Sequence, residues 1–331
     1  MKNMYALEEK NLLLEPRQFE TAQKKLLEWY EVCGRHELPW RLSEDVYHVY
    51  VSEIMLQQTQ VNRDMQEYYP QFLEKFPTLK ALSEADEAEV LAAWSGLGYY
   101  SRARNLHATA KLCPQTLPQT LDELLKLPGI GPYTASAICS FAYNQQVGVV
   151  DTNIERVIKR FFALSQPSVN KVNAEAGGFV NAEQPRAHNL ALMDLGSLVC
   201  LPNNPKCEEC PLAFSCDGKN EPEFYTKKEK KVYENLELFY GVCEKNEKIA
   251  LVKSSARMYK GMLELPNVEP LEEDFIAAFK HSYTKYRLTV KLYKTDDVEG
   301  EVFWYNHEEI QNAPISSLTR KAFGALQKAQ R

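Results

Sequence analysis

The sequence contains no apolar run of 18 residues, so it offers no helix to cross a membrane. Its first residues, MKNMYALEEKNLLLEP, lack the basic end, long apolar core and small-residue cleavage site of a secretory signal. We therefore expect a cytoplasmic protein, nucleoid-associated if it holds DNA, with a frayed N-terminal extension. There is no internal repeat and no low-complexity tract. There is no excess of positive charge either: the net charge is −6. Spread evenly, that would count against a nucleic-acid partner, but local patches matter more. Arg102, Arg104, His107 and Lys111 form one basic cluster and Arg156, Lys159 and Arg160 another. Each reads first as an ordinary solvated face and second as a phosphate contact. Cysteine is sparse outside one segment. Cys33, Cys113, Cys139 and Cys243 are scattered, while the other four fall within seventeen residues. In a cytosolic chain that clustering points to metal rather than to disulfides.

What is present fits a globular protein. Hydrophobic residues are 44% and charged residues 25% of 331, a length that suggests two domains. Residues 17–223 read almost entirely as helices. Asp86 with Glu89, and Thr120 with Glu123, have the spacing of capping boxes. Ile54, Val61, Met65, Tyr69 and Phe72 follow one helical stripe and are expected in the core. The charged stretch KNEPEFYTKKEKK then ends the helical pattern and reads as a linker. Beyond it, LELFYGVCEKNEKIALVK reads as strand, polar turn, strand; EEDFIAAFKH as a helix; RLTVKLY as a half-buried strand with Leu288, Val290 and Leu292 inward; and LTRKAFGALQKA as a closing helix. The fold class expected is a mostly α domain over 17–216, a linker over 217–232 and a small α+β domain over 233–331.

Two stretches carry chemistry. Cys200, Cys207, Cys210 and Cys216, separated by six, two and five residues, can close around one centre. Four thiolates suit a tetrahedral zinc ion or a [4Fe–4S] cluster, and the spacing leaves both open. The second stretch is LPGIGPYTASAI, with Gly129, Ile130 and Gly131 between Pro128 and Pro132. Glycines there permit backbone angles other residues avoid, and prolines fix their neighbours. The expected product is a tight hairpin opening a helix, whose free amides and positive end suit a backbone phosphate. An ordinary helix–turn–helix connection is the alternative. Asp151 follows twenty residues after Gly131 and starts another helix, where it could serve only as an N-cap.

Hairpin, aspartate and cysteine loop together resemble the helix-hairpin-helix DNA glycosylase superfamily. LPWR at 38–41, SEIMLQQTQV at 52–61 and GLGYYSRARNL at 96–106 are similar to the MutY adenine glycosylases within it. The resemblance covers about residues 18–216; the C-terminal part resembles that family's Nudix-like domain more loosely. It implies a [4Fe–4S] cluster on the four cysteines and, as partner, double-stranded DNA bearing adenine opposite 8-oxoguanine or guanine, bound by a monomer with no role for a membrane.

The resemblance also implies roles. Base excision breaks an N-glycosidic bond, giving the sugar oxocarbenium character and the base a need for a proton, and paired carboxyl groups suit this. Glu53 matches the acid that protonates adenine N7, and Asp151 the carboxylate that stabilises the sugar cation. Glu53 must then hold its proton near neutral pH, which burial favours. Gln57 and Gln60 lie at i+4 and i+7 from it. Bifunctional relatives such as endonuclease III carry a lysine where this chain has Tyr133; an amine forms a Schiff base and a phenol does not. A monofunctional enzyme is therefore expected, with Tyr133 and Asn153 orienting the catalytic groups. Gln58 and Tyr99 match residues that wedge into the duplex beside the lesion pair. Leu38, Trp40, Val61 and Asp194 match an adenine pocket. Tyr283 and Thr284 match an 8-oxoguanine-recognition loop that commonly reads Phe-Ser-His; here the histidine is replaced by Lys285, a candidate phosphate contact. The Nudix hydrolase box is missing, so this domain is expected to bind and not to hydrolyse.

Overall fold

The computed structural model describes residues 16–57, 63–226, 232–255, 259, 261–283 and 285–329. Helices come first: α1 Pro16–Cys33, α2 Val46–Leu56, α3 Arg63–Lys75, α4 Leu79–Glu84, α5 Glu87–Ala93, α6 Ser101–Leu112, α7 Leu121–Leu124, α8 Pro132–Phe141, α9 Thr152–Phe161, α10 Val169–Phe179 and α11 Pro185–Leu198. Then come β1 Glu234–Val242, β2 Glu244–Lys245, β3 Lys248–Lys253, β4 Leu263–Glu264, β5 Phe275–Tyr283, β6 Tyr286–Lys294 and β7 Val302–Tyr305, followed by α12 His307–Asn312 and α13 Ser317–Ala329. These elements form two compact units. One comprises Met1–Val49, Pro118–Leu125 and Ile130–Lys228; the other comprises Tyr50–Leu117, Lys126–Gly129 and Glu229–Arg331.

Among the described residues, the regular elements of the first unit are all helices. Ala22, Leu26 and Tyr30 recur at i, i+4 and i+8 on α1, so one face of that helix is apolar and buried. It packs on α11, which also packs on α9. Ile154, Val157, Ile158 and Phe161 of α9 and Leu192 and Leu195 of α11 fill the space between. Phe161 stacks on Phe179 at 4.9 Å. The approach of α9 to α11 depends on Gly196, because a Cβ there would lie 2.7 Å from the Cβ of Asn153. His188, fully buried, meets the edge of Phe179, and among the described residues neither ring nitrogen has a hydrogen-bond partner.

In the second unit α4 and α5 pack on α6. The expected capping box at the start of α5 is present, the Glu89 carboxylate accepting from the Asp86 amide at 3.3 Å. Thr120, in the first unit, likewise caps α7. The C-terminal strands form two sheets. In one, β6 is central, parallel to β1 and antiparallel to β5. In the other, β3 is central, flanked by β2, β4 and β7. Leu288, Val290 and Leu292 of β6 point inward. The turn from β2 to β3 places Asn246 and Glu247 at φ 52° and 62°, the geometry a two-residue hairpin requires. Helix α13 lies on β5.

Four expectations are corrected. The stretch FIAAFKH is strand β5, not a helix. Two of its residues, Phe275 and Ala277, pair with consecutive residues Tyr293 and Leu292 of β6 across a bulge, which breaks the alternation that would have marked a strand. The stripe from Ile54 to Phe72 is not one helix: Ile54 lies on α2, while Met65, Tyr69 and Phe72 lie on α3, all of them buried. The basic clusters are not solvated faces, since Arg102, His107, Arg156 and Arg160 are buried. Of the hairpin glycines, Gly129 has φ +74° and needs to be glycine, but Gly131 sits at φ −92°, open to any residue.

Two outcomes follow from this packing. Gly196→Ala should lower stability by about 1–3 kcal/mol, read as a reduced urea midpoint, because backbone at Asn153 must move to admit the methyl. Burial pushes the pKa of His188 down to about 3. Unfolded chains therefore take up a proton below about pH 6.5 that the folded chain refuses, and stability falls as pH drops from there toward 3. His188→Leu should remove about 2 kcal/mol of the loss between pH 7 and pH 5, measured by urea unfolding of both proteins at each pH.

Candidate active site and cysteine loop

Glu53 lies one turn before the end of α2, within a run of buried residues, and is itself only 7% exposed. Gln57 immediately follows the last residue of that helix and is half-buried; Gln58, Gln60 and Val61 lie outside the described residues. The C-terminus of α2 is held by Arg102 of α6. Its Nη1 donates to the carbonyls of Ile54, Met55 and Gln57 at 2.7, 3.1 and 2.6 Å. A cation over the last carbonyls of a helix satisfies both their lone pairs and the helix dipole. Burial lowers the pKa of Arg102 to about 10, which still leaves it charged at neutral pH. Its Nη2 reaches the carbonyls of Leu97 and Gly98 at 3.2 and 3.4 Å, and its guanidinium lies 5.3 Å from the ring of Tyr99. Tyr99 has φ +48° and is half-buried.

In the hairpin, the carbonyl of Pro128 accepts from the hydroxyl of Thr109 at 3.2 Å. Gly129 lies against Asn105, so that a Cβ at position 129 would meet its side chain at 2.6 Å. Ile130 is buried. Gly131 is the N-cap of α8, and a Cβ built on it meets nothing within 4 Å. This leaves room for a ligand to approach the first amides of the helix. Tyr133, in the first turn, is partly buried against the core of the first unit.

Asp151 is the N-cap of α9. Its Oδ1 accepts from the amides of Asn153 and Ile154 at 2.9 and 2.7 Å, and its Oδ2 from Asn153 Nδ2 at 3.0 Å. Burial raises its pKa, against the lowering effect of these donors and of Arg156. Asn153 thus donates to both oxygens of the carboxylate and fixes its direction. From there the network continues. Arg156 donates to Asn153 Oδ1 at 2.9 Å, to the carbonyl of Gly196 and, through Nε, to the carbonyl of Cys200 at 2.7 Å. One turn on, Arg160 donates to Cys200 Sγ at 3.3 Å and to the carbonyls of Leu201, Pro202 and Pro222 at 2.6, 3.0 and 2.8 Å. Like Arg102, these two arginines have roles that sequence reading missed. Their signal was the spacing: Asn153, Arg156 and Arg160 sit at i, i+3 and i+7, one face of α9.

Cys200, Cys207, Cys210 and Cys216 line one small cavity together with Arg160, Pro205 and Val199. Among the described residues, no three His, Cys, Asp or Glu side chains form a group able to hold a single metal ion. A tetrahedral zinc, with bonds of about 2.3 Å, would draw its four sulfurs to about 3.8 Å from one another. Burial pushes the thiol of Cys210 up to about 11 and that of Cys216 up to about 12, so an isolated thiolate is disfavoured there and a cationic centre would be needed to stabilise it.

Leu38 and Trp40 are buried at the short turn Pro39–Arg41. Asp194 is fully buried in α11, and its carboxylate accepts from the amide and guanidinium of Arg35 and from both terminal nitrogens of Arg41. These ion pairs hold its pKa below the usual carboxylate range despite burial. Tyr283 ends β5, its side chain not among those described, and Thr284 lies outside the described residues. Lys285 is exposed and pairs with Glu234 at 2.6 Å.

Residues 51–181 match the model of the HhH-GPD superfamily of base excision DNA repair proteins. The chain is 39% identical over 239 residues to the adenine DNA glycosylase of Buchnera aphidicola subsp. Baizongia pistaciae, covering 69% of this chain and 63% of that one. It is 32% identical to the adenine DNA glycosylase of the Schizaphis graminum subspecies, covering 74% of each. The human adenine DNA glycosylase is 41% identical over 216 residues, which are 60% of this chain and 39% of the human one. The chain thus spans less than two thirds of two of these three relatives. A thermostable thymine-DNA glycosylase structure superposes with a TM-score of 0.57 at 26% identity, over 62% of this chain and 98% of its own. An endonuclease III–DNA complex, at 22% identity and a TM-score of 0.54 over 63% and 98%, shares the fold. Carrying this fold, an aspartate-capped helix after the hairpin and these relatives, the chain belongs to the adenine DNA glycosylase family of the helix-hairpin-helix superfamily.

Proposed function

We propose that the protein is a monofunctional DNA glycosylase that removes adenine opposite 8-oxoguanine or guanine, acting as a monomer on duplex DNA. The observation that carries this reading is the oriented Asp151 carboxylate, held by Asn153 at the mouth of α9. An ionised carboxylate so fixed stabilises positive charge developing on a sugar without reorganising. Glu53, buried on α2, supplies the proton to the leaving base. The amides after Gly131 receive a backbone phosphate, and the open space beside that glycine favours the approach. Base extrusion leaves a gap, which Tyr99 and Gln58 fill. Leu38, Trp40 and Val61 shape the pocket for the extruded adenine; Asp194, saturated by two arginines, acts there by holding Arg35 and Arg41 in place. The C-terminal domain, residues 233–331, reads the opposite base through Tyr283 and Thr284, beyond the linker at 217–232. Lys285, committed to Glu234, contacts phosphate only if that pair opens.

The four cysteines line one cavity, and with the cysteine spacing shared with the family this supports a [4Fe–4S] cluster there. When bound, the cluster supplies a covalent brace for the loop, with Arg160 beside Cys200 supporting it. Tyr133 in place of an amine disfavours the strand-cleaving reaction of endonuclease III-type enzymes.

Duplex DNA bearing adenine opposite 8-oxoguanine, incubated with the protein and then treated with alkali, should break at the adenine; an intact strand would overturn the reading. Glu53→Gln and Asp151→Asn should each lower the single-turnover rate by at least about 100-fold, the range of general acid catalysis, with duplex binding kept. Borohydride should trap little covalent adduct. Purified protein should contain about four iron atoms and four sulfides per chain, and Cys216→Ser should lose them; stoichiometric zinc would show that the loop holds zinc instead.

A further inference from the structure

The turn Ser95–Tyr100 connects α5 to α6 and carries Tyr99. Gly96 and Gly98 have φ +101° and +69°, and Tyr99 itself has φ +48°. Left-handed angles are uncommon for tyrosine and persist only where the surroundings hold them. From within the helical part of this unit, Arg102 holds the carbonyls of Leu97 and Gly98, and Trp94 Nε1 donates to the carbonyl of Gly98 at 3.1 Å. From the C-terminal part of the same unit comes a second grip. The hydroxyl of Tyr100 donates to the carbonyl of Ile315 at 2.9 Å, and that of Ser95 lies 3.5 Å from the same oxygen. Arg320, on the first turn of α13, donates to Ser95 Oγ at 2.6 Å. Ile315 is itself fixed, fully buried and bridged to Leu263 of β4. Tyr100 is 2% exposed. One carbonyl of the C-terminal domain therefore grips both ends of the turn, on either side of the strained Tyr99.

We propose that Tyr100, Ser95 and Arg320 are positioning residues through which the C-terminal domain sets the conformation of Tyr99 for base extrusion. The inference rests on the reading of Tyr99 as the residue that fills the duplex. On this view the C-terminal domain does more than read the opposite base: its Ile315–Arg320 segment presets the element that opens the helix. Loosening the grip should slow extrusion of the base more than it weakens DNA binding.

The test uses the full chain and a duplex carrying 2-aminopurine, a fluorescent adenine analogue, opposite 8-oxoguanine. Stopped-flow fluorescence reports extrusion, and single-turnover excision of adenine reports the rate of the reaction. Tyr100→Phe, which keeps the ring and removes the hydroxyl, should slow extrusion by about five- to tenfold, as expected for a buried acceptor left unpaired. Ser95→Ala and Arg320→Ala, at less buried positions that tolerate truncation, should each slow it by about two- to fivefold. Excision should slow in the same proportion, and affinity for undamaged duplex should stay within about twofold of wild type, since the phosphate contacts are elsewhere. Extrusion at the wild-type rate in Ser95→Ala and Arg320→Ala would overturn the inference, whatever Tyr100→Phe does to folding. So would an equal loss of extrusion and of undamaged-duplex affinity. A wild-type protein that extrudes and excises nothing would overturn the glycosylase reading itself, a separate result.

Discussion

Buried guanidinium groups that spend most of their donors on backbone carbonyls hold this molecule's irregular segments in place. A charge taken out of water is costly unless its hydrogen bonds are fully met. Arg160 meets that condition by gathering carbonyls from Leu201, Pro202 and Pro222, stretches with no regular structure of their own. Arg156 does the same between Cys200, Gly196 and Asn153. The cysteine loop and the cap of α9 are therefore built on two side chains of one helix. The carboxylate of Asp151 inherits its direction from a framework that extends to the first cysteine of the loop.

In the other unit Arg102 plays the corresponding part. It closes the end of α2 and pins the Tyr99 turn, so the helix bearing Glu53 and the turn bearing Tyr99 share a single anchor. Arginine suits this better than lysine, because its planar fork carries five donors in fixed directions and stays charged when buried. The apolar core gives these helices their placement, and the arginines fix the irregular segments beside them.

Much of this was legible in the sequence. The capping pairs, the hairpin, the N-cap at Asp151 and the helix-then-sheet order all rest on local chemistry, and local chemistry is what a sequence states directly. Asn153 could be placed beside Asp151 because they are two residues apart on a helix start. What could not be read was non-local. The fate of Arg102, Arg156 and Arg160 depended on which carbonyls would be brought to them, and a charged residue in isolation reads as solvent-facing. The strand at Phe275–Tyr283 was hidden by a bulge, whose extra residue shifts the pattern toward helical spacing. Nor could the sequence show that Arg35 and Arg41, far from Asp194 along the chain, would occupy its oxygens.

That last arrangement has a consequence for how the chain can vary. Asp194 is fully enclosed, and the side chains of Arg35 and Arg41 lie against it. Exchanging either arginine for lysine would conserve net charge and yet replace a flat, two-pronged donor with a single rounded one. Lone pairs formerly met by the second prong would face protein rather than water. At this corner, chemical similarity between side chains is no guide to which replacements the fold accepts.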